Sequence, residues 1–322
     1  MLQVAQIYAP VQHRLDRVDE QLSGLSDVPP EFLAKLIGHV VGSTGKRIRP
    51  ALTMLSSGFK EHNEAVSEKM AVAVELLHLA TLIHDDTVDD SDLRRGRATI
   101  SSLWGRNVAV LLGDYLFATS AIHVCDTNHV YVIRRFSETI TELSKGELFE
   151  LASSCDWTQD RDAYYERIYN KTASLFTVAC ESGAILSGAS ESQVAALKGY
   201  GYNLGMAFQI VDDILDFSGS AVEIGKPVGS DLANGVMTIP SIIAGERFPN
   251  DNSVRRLFGD IRNKEALRDA VKQVQEPSVM AEAESEAERF GGEARRCLDE
   301  LPDNPERTSL LALVDYVLSR RT

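Results

Sequence analysis

Five aspartates, Asp85, Asp86, Asp89, Asp90 and Asp92, crowd into the stretch LIHDDTVDDSDLRRGRAT, directly after an apolar run and directly before Arg94, Arg95 and Arg97. Carboxylates this close repel one another unless solvent or a cation relieves them. On a helix, Asp85 and Asp89 lie one turn apart and share a face, as do Asp86 and Asp90, so their charges converge. A solvated helix end is the bland explanation. The preceding ELLHLATLI is too apolar for a helix standing in water, so these acids end a largely buried one. A second cluster repeats the pattern in FQIVDDILDF: Asp212 and Asp216 are one turn apart, Asp213 is adjacent, and apolar residues flank both sides.

Carboxylates inside apolar helices are costly without partners, and the chain offers no comparable run of lysines to serve both clusters. A divalent cation serves both. Hard oxygen ligands with positions left for water and phosphate suit magnesium, which is typically held by one or two carboxylates plus a diphosphate. Two facing helices, each with a one-turn aspartate pair, can therefore clamp a diphosphate through several ions. Calcium is disfavoured because no twelve-residue EF-hand loop with its central glycine is present. Three basic islands supply countercharge: Lys46, Arg47 and Arg49 in GKRIRP at a predicted helix start, Arg94 and Arg95 in DLRRGR, and Lys226 in EIGKPVGSDLANG. Each alone reads as surface charge; together with the aspartates they suggest two phosphate positions, one bridged by metal and one held directly by Lys and Arg. His78 lies two helical turns before Asp85 and faces the same way, although a satisfied core histidine also fits there.

The elements that must position these groups read as helices. Apolar residues recur at three-to-four spacing in EKMAVAVELLHLATLIHDD, VAVLLGDYLFATSAIHV and LKGYGYNLGMAFQIVDDILDF, and sustained alternation is scarce. Turn chemistry separates them at 26–31, 58–64, 91–99, 218–235, 245–253 and 300–308. With no low-complexity linker or internal period, the expectation is a single all-α domain over 1–322, with its motifs in 40–240 and a structural helical flank over 250–322. The net charge of -14 excludes a nucleic-acid surface. Cys125, Cys155, Cys180 and Cys297 form no CxxC pair and suggest reduced buried thiols. The N-terminal stretch lacks a signal-peptide pattern, and Glu75 and Asp114 interrupt the most apolar runs, so neither secretion nor a membrane span is expected and the cytoplasm is the predicted compartment.

The segments GKRIRP, ELLHLATLIHDDTVDDSDLRRG, GDYLFA, YNKTASLF, GMAFQIVDDILDF and GKPVGSDLANG, in this order and spacing, resemble the trans-isoprenyl diphosphate synthases over about residues 40–240. The resemblance implies an isoprenoid synthase-type helical bundle around a deep central cavity, a homodimer, and about three Mg2+ per site. It implies Asp85, Asp89 and Asp212 as direct metal ligands, with Asp86, Asp213 and Asp216 completing those shells. By the same resemblance Arg94, Lys171 and Lys226 contact the allylic diphosphate, Lys46, Arg49, His78 and Arg95 hold isopentenyl diphosphate, and Thr172 and Gln209 stand beside the developing carbocation. The implied reaction is ionisation of the allylic C–O bond, attack by the isopentenyl double bond and loss of a proton to the released diphosphate, with water kept from the carbocation.

Three positions depart from the family pattern. Thr44 stands before Gly45 where many relatives have glycine, Glu150 where glutamine is frequent, and Val236 after Gly235 where short-chain members often have lysine, which removes one cation near the second motif. Short-chain members place an aromatic residue four or five positions before the first aspartate; here Ala80 and Thr81 stand there, with Leu77 and Leu76 a turn beyond. Small side chains leave the near cavity open, so a long-chain product of roughly C30 to C50 is expected, with Tyr115, Phe117 or Tyr131 as candidate floors; Ala80 can also be small for helix packing alone. The alternatives are a C15 to C20 farnesyl or geranylgeranyl diphosphate synthase, or the catalytic subunit of a heteromeric synthase. A class I terpene cyclase is disfavoured by the intact second DDxxD and by Lys46, Arg49 and His78, and a non-catalytic partner subunit by the full set of aspartates. Transient membrane contact is compatible with release of an apolar product.

Overall fold

Where the sequence places turn chemistry, helices stop and start. The computed structural model describes residues 4–42, 45–94, 96–218 and 228–320. Its longer helices begin with α1 Gln12–Gly24, α2 Glu31–Val41, α3 Ile48–Ser56, α4 Glu64–Val88, α5 Arg106–Cys125 and α6 Val130–Ala152. They continue with α7 Arg161–Ile168, α8 Ser174–Leu186, α9 Glu191–Ser218, α10 Ile239–Arg247, α11 Lys264–Val274, α12 Pro277–Cys297 and α13 Pro305–Leu318. Among the described residues the strands are limited to one antiparallel hairpin, β1 Leu93–Arg94 against β2 Arg97–Ala98. The all-α expectation holds, and GKRIRP does lead into a helix start at Ile48. Local caps explain several boundaries: the side chains of Asn63, Asp160 and Asn263 accept backbone N–H groups at the starts of α4, α7 and α11.

Two compact units divide the chain. The first gathers Met1–Ser137, Thr177–Lys198 and Glu300–Ala312. At its centre α4 is buried on every side from Met70 to Leu77, so it carries no one-sided apolar stripe; α5 packs along it, and α3 and α1 cover other faces. Several charged groups enter this core with partners. Arg14 donates to Ser57 Oγ at 2.9 Å and Ser67 Oγ at 2.6 Å, and Arg47 pairs with buried Glu75 at 2.7 Å and with Asp19 at 2.8 Å. Glu181, 2% exposed, is ringed by Arg135, Lys198 and the Tyr131 hydroxyl. Gly183 has no room for a side chain: a Cβ there would sit 2.3 Å from the Thr53 carbonyl oxygen.

The second unit gathers Glu138–Phe176, Gly199–Asp299 and Leu313–Thr322. Arg161 at the start of α7 braces it by pairing with Glu246, Glu282 and Glu286, reaching α10 and α12 from one side chain. Gly205 on α9 lets the backbone of Ala173 approach, since a Cβ would stand 2.6 Å from its Cα.

Two expectations change. Despite Asp114, α5 is long and apolar enough to cross a membrane by length and composition alone; its apolar character serves packing on α4 along Ala109, Leu112 and Leu116, while Leu111 and Ile122 stay exposed. Of the cysteines only Cys180 is buried, and burial pushes its thiol up to about 12; Cys125 is exposed.

Candidate active site

The first acidic motif sits in the first unit at the C-terminal end of α4. Asp85 and Asp86 occupy its last turn, Asp89 is the residue that closes it with its N–H bonded to the Asp85 carbonyl at 2.9 Å, and Asp90 follows at a positive φ of 50°. The last carbonyls of a helix already carry partial negative charge, so carboxylates here are doubly unfavourable unless a cation joins them. Part of that cation comes from the protein: Arg94 on β1 donates to Asp86 at 2.7 Å and Arg106 pairs with Asp90. Asp85 is half-buried and Asp89 exposed.

Nearby, Arg49 lies half-buried in the first turn of α3, and Lys46 is exposed just before that helix, its carbonyl accepting from Tyr8 Oη at 3.0 Å. Arg47, from the same island, is instead consumed by Glu75 and Asp19 and serves the fold. His78 is half-buried on α4, with its carbonyl bonded by Thr81 Oγ1 at 2.8 Å. Ala80 and Leu77 are each 1% exposed, whereas Thr81 is half-buried. Tyr115 and Phe117 are half-buried on α5, and Tyr131 is tied to Glu181. Arg95 and Thr44 lie outside the described residues.

In the second unit the second motif occupies the last two turns of α9, again the negative end of a long helix. Its three aspartates have different surroundings. Asp212 is exposed and meets Arg320 at 3.2 Å. Asp213 is buried, accepting from Tyr164 Oη at 2.6 Å and Gln209 Nε2 at 2.8 Å; burial, with the charge of Asp231, pushes it up to about 8 against the pull of those hydrogen bonds. Asp216 accepts from Ser230 N at 3.1 Å, Ser230 Oγ at 2.7 Å and Asp231 N at 3.2 Å, and so caps the short helix Ser230–Ala233. Gly229, at φ 74°, makes the turn that allows this. Lys226 lies outside the described residues; Val236 is half-buried and donates its N–H to the Asp231 carbonyl at 2.9 Å.

Thr172 and Gln209, each expected beside the developing carbocation, are joined: Thr172 Oγ1 donates to Gln209 Oε1 at 2.6 Å, which fixes the Gln209 amide with its nitrogen towards Asp213. Lys171 precedes Thr172 in a π-helical turn, Tyr169–Ala173, a widening that recurs at functional sites. Its Nζ contacts Glu150 at 2.5 Å and Glu147 at 3.2 Å, so the glutamate found where glutamine is frequent holds the lysine. Gly146 admits this turn, since a Cβ there would stand 2.7 Å from the Lys171 nitrogen.

Sequence reasoning missed Tyr164, Ser230 and Arg320. Tyr164 carries a signal, lying seven residues and two turns before Lys171, whereas nothing local marks the other two. Arg320, from the stretch read as a structural flank, brings a cation to Asp212. Among the described residues no three His, Cys, Asp or Glu side chains already converge for a metal. The donors nevertheless suit a hard divalent cation: carboxylate oxygens only, set at two negative helix ends.

Comparison with known proteins gives one answer throughout. The family model described as Polyprenyl synthetase matches residues 30–276. The "Prenyl transferase" of Synechocystis sp. is 35% identical over 99% of both chains. "Heptaprenyl diphosphate synthase component 2" of Bacillus subtilis is 34% identical over 98% of this chain and 90% of that one. The crystal structure of heptaprenyl diphosphate synthase from Staphylococcus aureus superposes with a TM-score of 0.93 at 34% identity, over 97% of this chain and 99% of that chain.

Proposed function

Because the chain belongs to the polyprenyl synthetase family, we propose that it condenses isopentenyl diphosphate with an allylic diphosphate (geranyl, farnesyl or geranylgeranyl) into a long-chain all-trans polyprenyl diphosphate. The observation that carries the site assignment is the pair of aspartate motifs, each at the negative end of a helix and each with one exposed carboxylate, Asp89 and Asp212. Asp85, Asp89 and Asp212, with Asp86, Asp213 and Asp216 in support, would hold magnesium, about three ions per site, which would supply positive charge to a departing diphosphate. Lys171, Arg94 and Lys226 hold the allylic diphosphate in this scheme, and Lys46, Arg49, His78 and Arg95 hold isopentenyl diphosphate. The Thr172 and Gln209 oxygens face positive charge developing on carbon, and the released diphosphate takes the proton.

Supplied with Mg2+, labelled isopentenyl diphosphate and each primer in turn, the purified protein is expected to give products of roughly C30 to C50, the class to which the heptaprenyl compounds named for two similar proteins belong. Chelation with EDTA should abolish product and excess Mg2+ restore it. Product formation in EDTA would refute the metal assignment. The "component 2" in one relative's name favours a second reading, a catalytic subunit of a two-part synthase; product that forms only after a partner is added would select it.

Product length rests on α4. Phenylalanine at Ala80 should cut the chain to roughly C15 to C20, because small residues one turn before Asp85 leave room that a ring fills. Mass spectrometry of the products tests this, with a melting curve to show the fold persists. An unchanged length distribution would place the wall elsewhere, with Tyr115 and Phe117 next to be replaced.

We assign the protein to the cytoplasm as a homodimer and a single domain. The exposed Leu111 and Ile122 of α5 support a subunit interface on that helix rather than a span. Four of the five points where the chain passes between units fall inside continuous helices, α6, α8, α9 and α13, which supports one domain.

A further inference from the structure

Just beyond α13, Arg320 lays its guanidinium over the Phe208 ring, 4.3 Å from the centroid, and donates from Nη2 to Asp212 Oδ1 at 3.2 Å. Its backbone is pinned: Arg320 N–H bonds the Val317 carbonyl at 3.4 Å, Val314 and Val317 are buried, and Asp315 pairs with Arg295 at 2.7 Å. The side chain is only 11% exposed, and its Nε and Nη1 are buried with no hydrogen-bond partner among the described residues. A guanidinium with two desolvated, unanswered donors is an expensive way to make one contact with a half-exposed carboxylate. Such an arrangement suits a contact that is exchanged during function.

The surroundings say what is exchanged. Asp213 and Asp216 are satisfied by Tyr164, Gln209, Ser230 and the Asp231 N–H, so Asp212 is the second-motif carboxylate left facing outward, and Arg320 stands on it. A bare divalent ion must displace that arginine and leave its charge unmatched. An ion arriving with diphosphate brings anionic oxygens that the freed guanidinium can bond.

We propose that Arg320 is a positioning residue that holds Asp212 as a stand-in cation and makes metal capture there conditional on diphosphate. This rests on Asp212 being a metal ligand, so the test separates the two claims. Mn2+ binding is followed by the electron paramagnetic resonance signal of the free ion for full-length wild type, Arg320→Gln, Arg320→Lys and Asp212→Asn, each with and without inorganic pyrophosphate. Without pyrophosphate, Arg320→Gln should bind the ion that Asp212→Asn loses about fivefold more tightly than wild type, the worth of one partly exposed charge pair. By linkage, the enhancement that pyrophosphate gives should shrink by the same factor, while Arg320→Lys stays near wild type. Should Arg320→Gln melt early, Phe208→Leu removes the ring shelf, keeps both charges and should shift affinity in the same direction. Unchanged or weaker Mn2+ binding in Arg320→Gln, with the ion still lost in Asp212→Asn, overturns the proposal alone. No ion lost in Asp212→Asn overturns the ligand assignment as well.

Discussion

Replacing Asp85 or Asp212 by alanine should lower turnover by roughly three powers of ten or more, about 4 kcal/mol of transition-state stabilisation, with little loss of fold. The two halves of that expectation have separate causes. Each carboxylate stands at the negative end of a long helix, so removing it relieves repulsion that the apoprotein endures. Asp212 gives up a long contact to Arg320, which offsets part of this relief. Asp213→Ala should behave differently, losing stability along with activity, because it strands the Tyr164 hydroxyl and the Gln209 amide in a buried setting. Steady-state rates and thermal melts on the same preparations check all three variants. Near-normal turnover of Asp212→Ala with Mg2+ would remove the second motif from the chemistry.

The largest stability effect is expected at Glu181→Ala, about 3–5 kcal/mol, because a carboxylate 2% exposed that Arg135, Lys198 and the Tyr131 hydroxyl all meet is taken out of the core. Tyr131 and Lys198 lose an acceptor at the same time. Urea denaturation with fixed m-value measures the loss; a cost below about 1 kcal/mol would mean that water reaches the Arg135 guanidinium and the pair is not truly desolvated.

Much of the candidate site's layout was legible because it is local. One-turn aspartate spacing, an apolar approach and a basic flank are properties of short segments, and both motifs do end helices that are largely buried. The Thr172 and Gln209 pairing was reachable only through the family resemblance, since thirty-seven residues separate them. What the sequence could not reveal is which aspartates face inward. Asp213 and Asp216 look identical to Asp212 in FQIVDDILDF, yet Tyr164, forty-nine residues upstream, and Ser230, fourteen downstream, decide their environments. Arg47 illustrates the opposite error: it sits in a motif rich in phosphate-binding cations, but Glu75 and Asp19 were invisible as its partners. Arg320 had no local signal at all.

The widened turn at Tyr169–Ala173 bears on how this stretch can change over time. An i→i+5 closure, seen in the Ser174 N–H bonding the Tyr169 carbonyl, houses one residue more than a regular turn. Deleting any one residue there would let the backbone relax into ordinary α-helix with the flanking turns still in phase, because the wide turn already absorbs the extra residue. Lys171 would swing off Glu147 and Glu150, or Thr172 off Gln209, but the buried side chains of α8 would keep their phase. A one-codon deletion would therefore silence the enzyme without unfolding it.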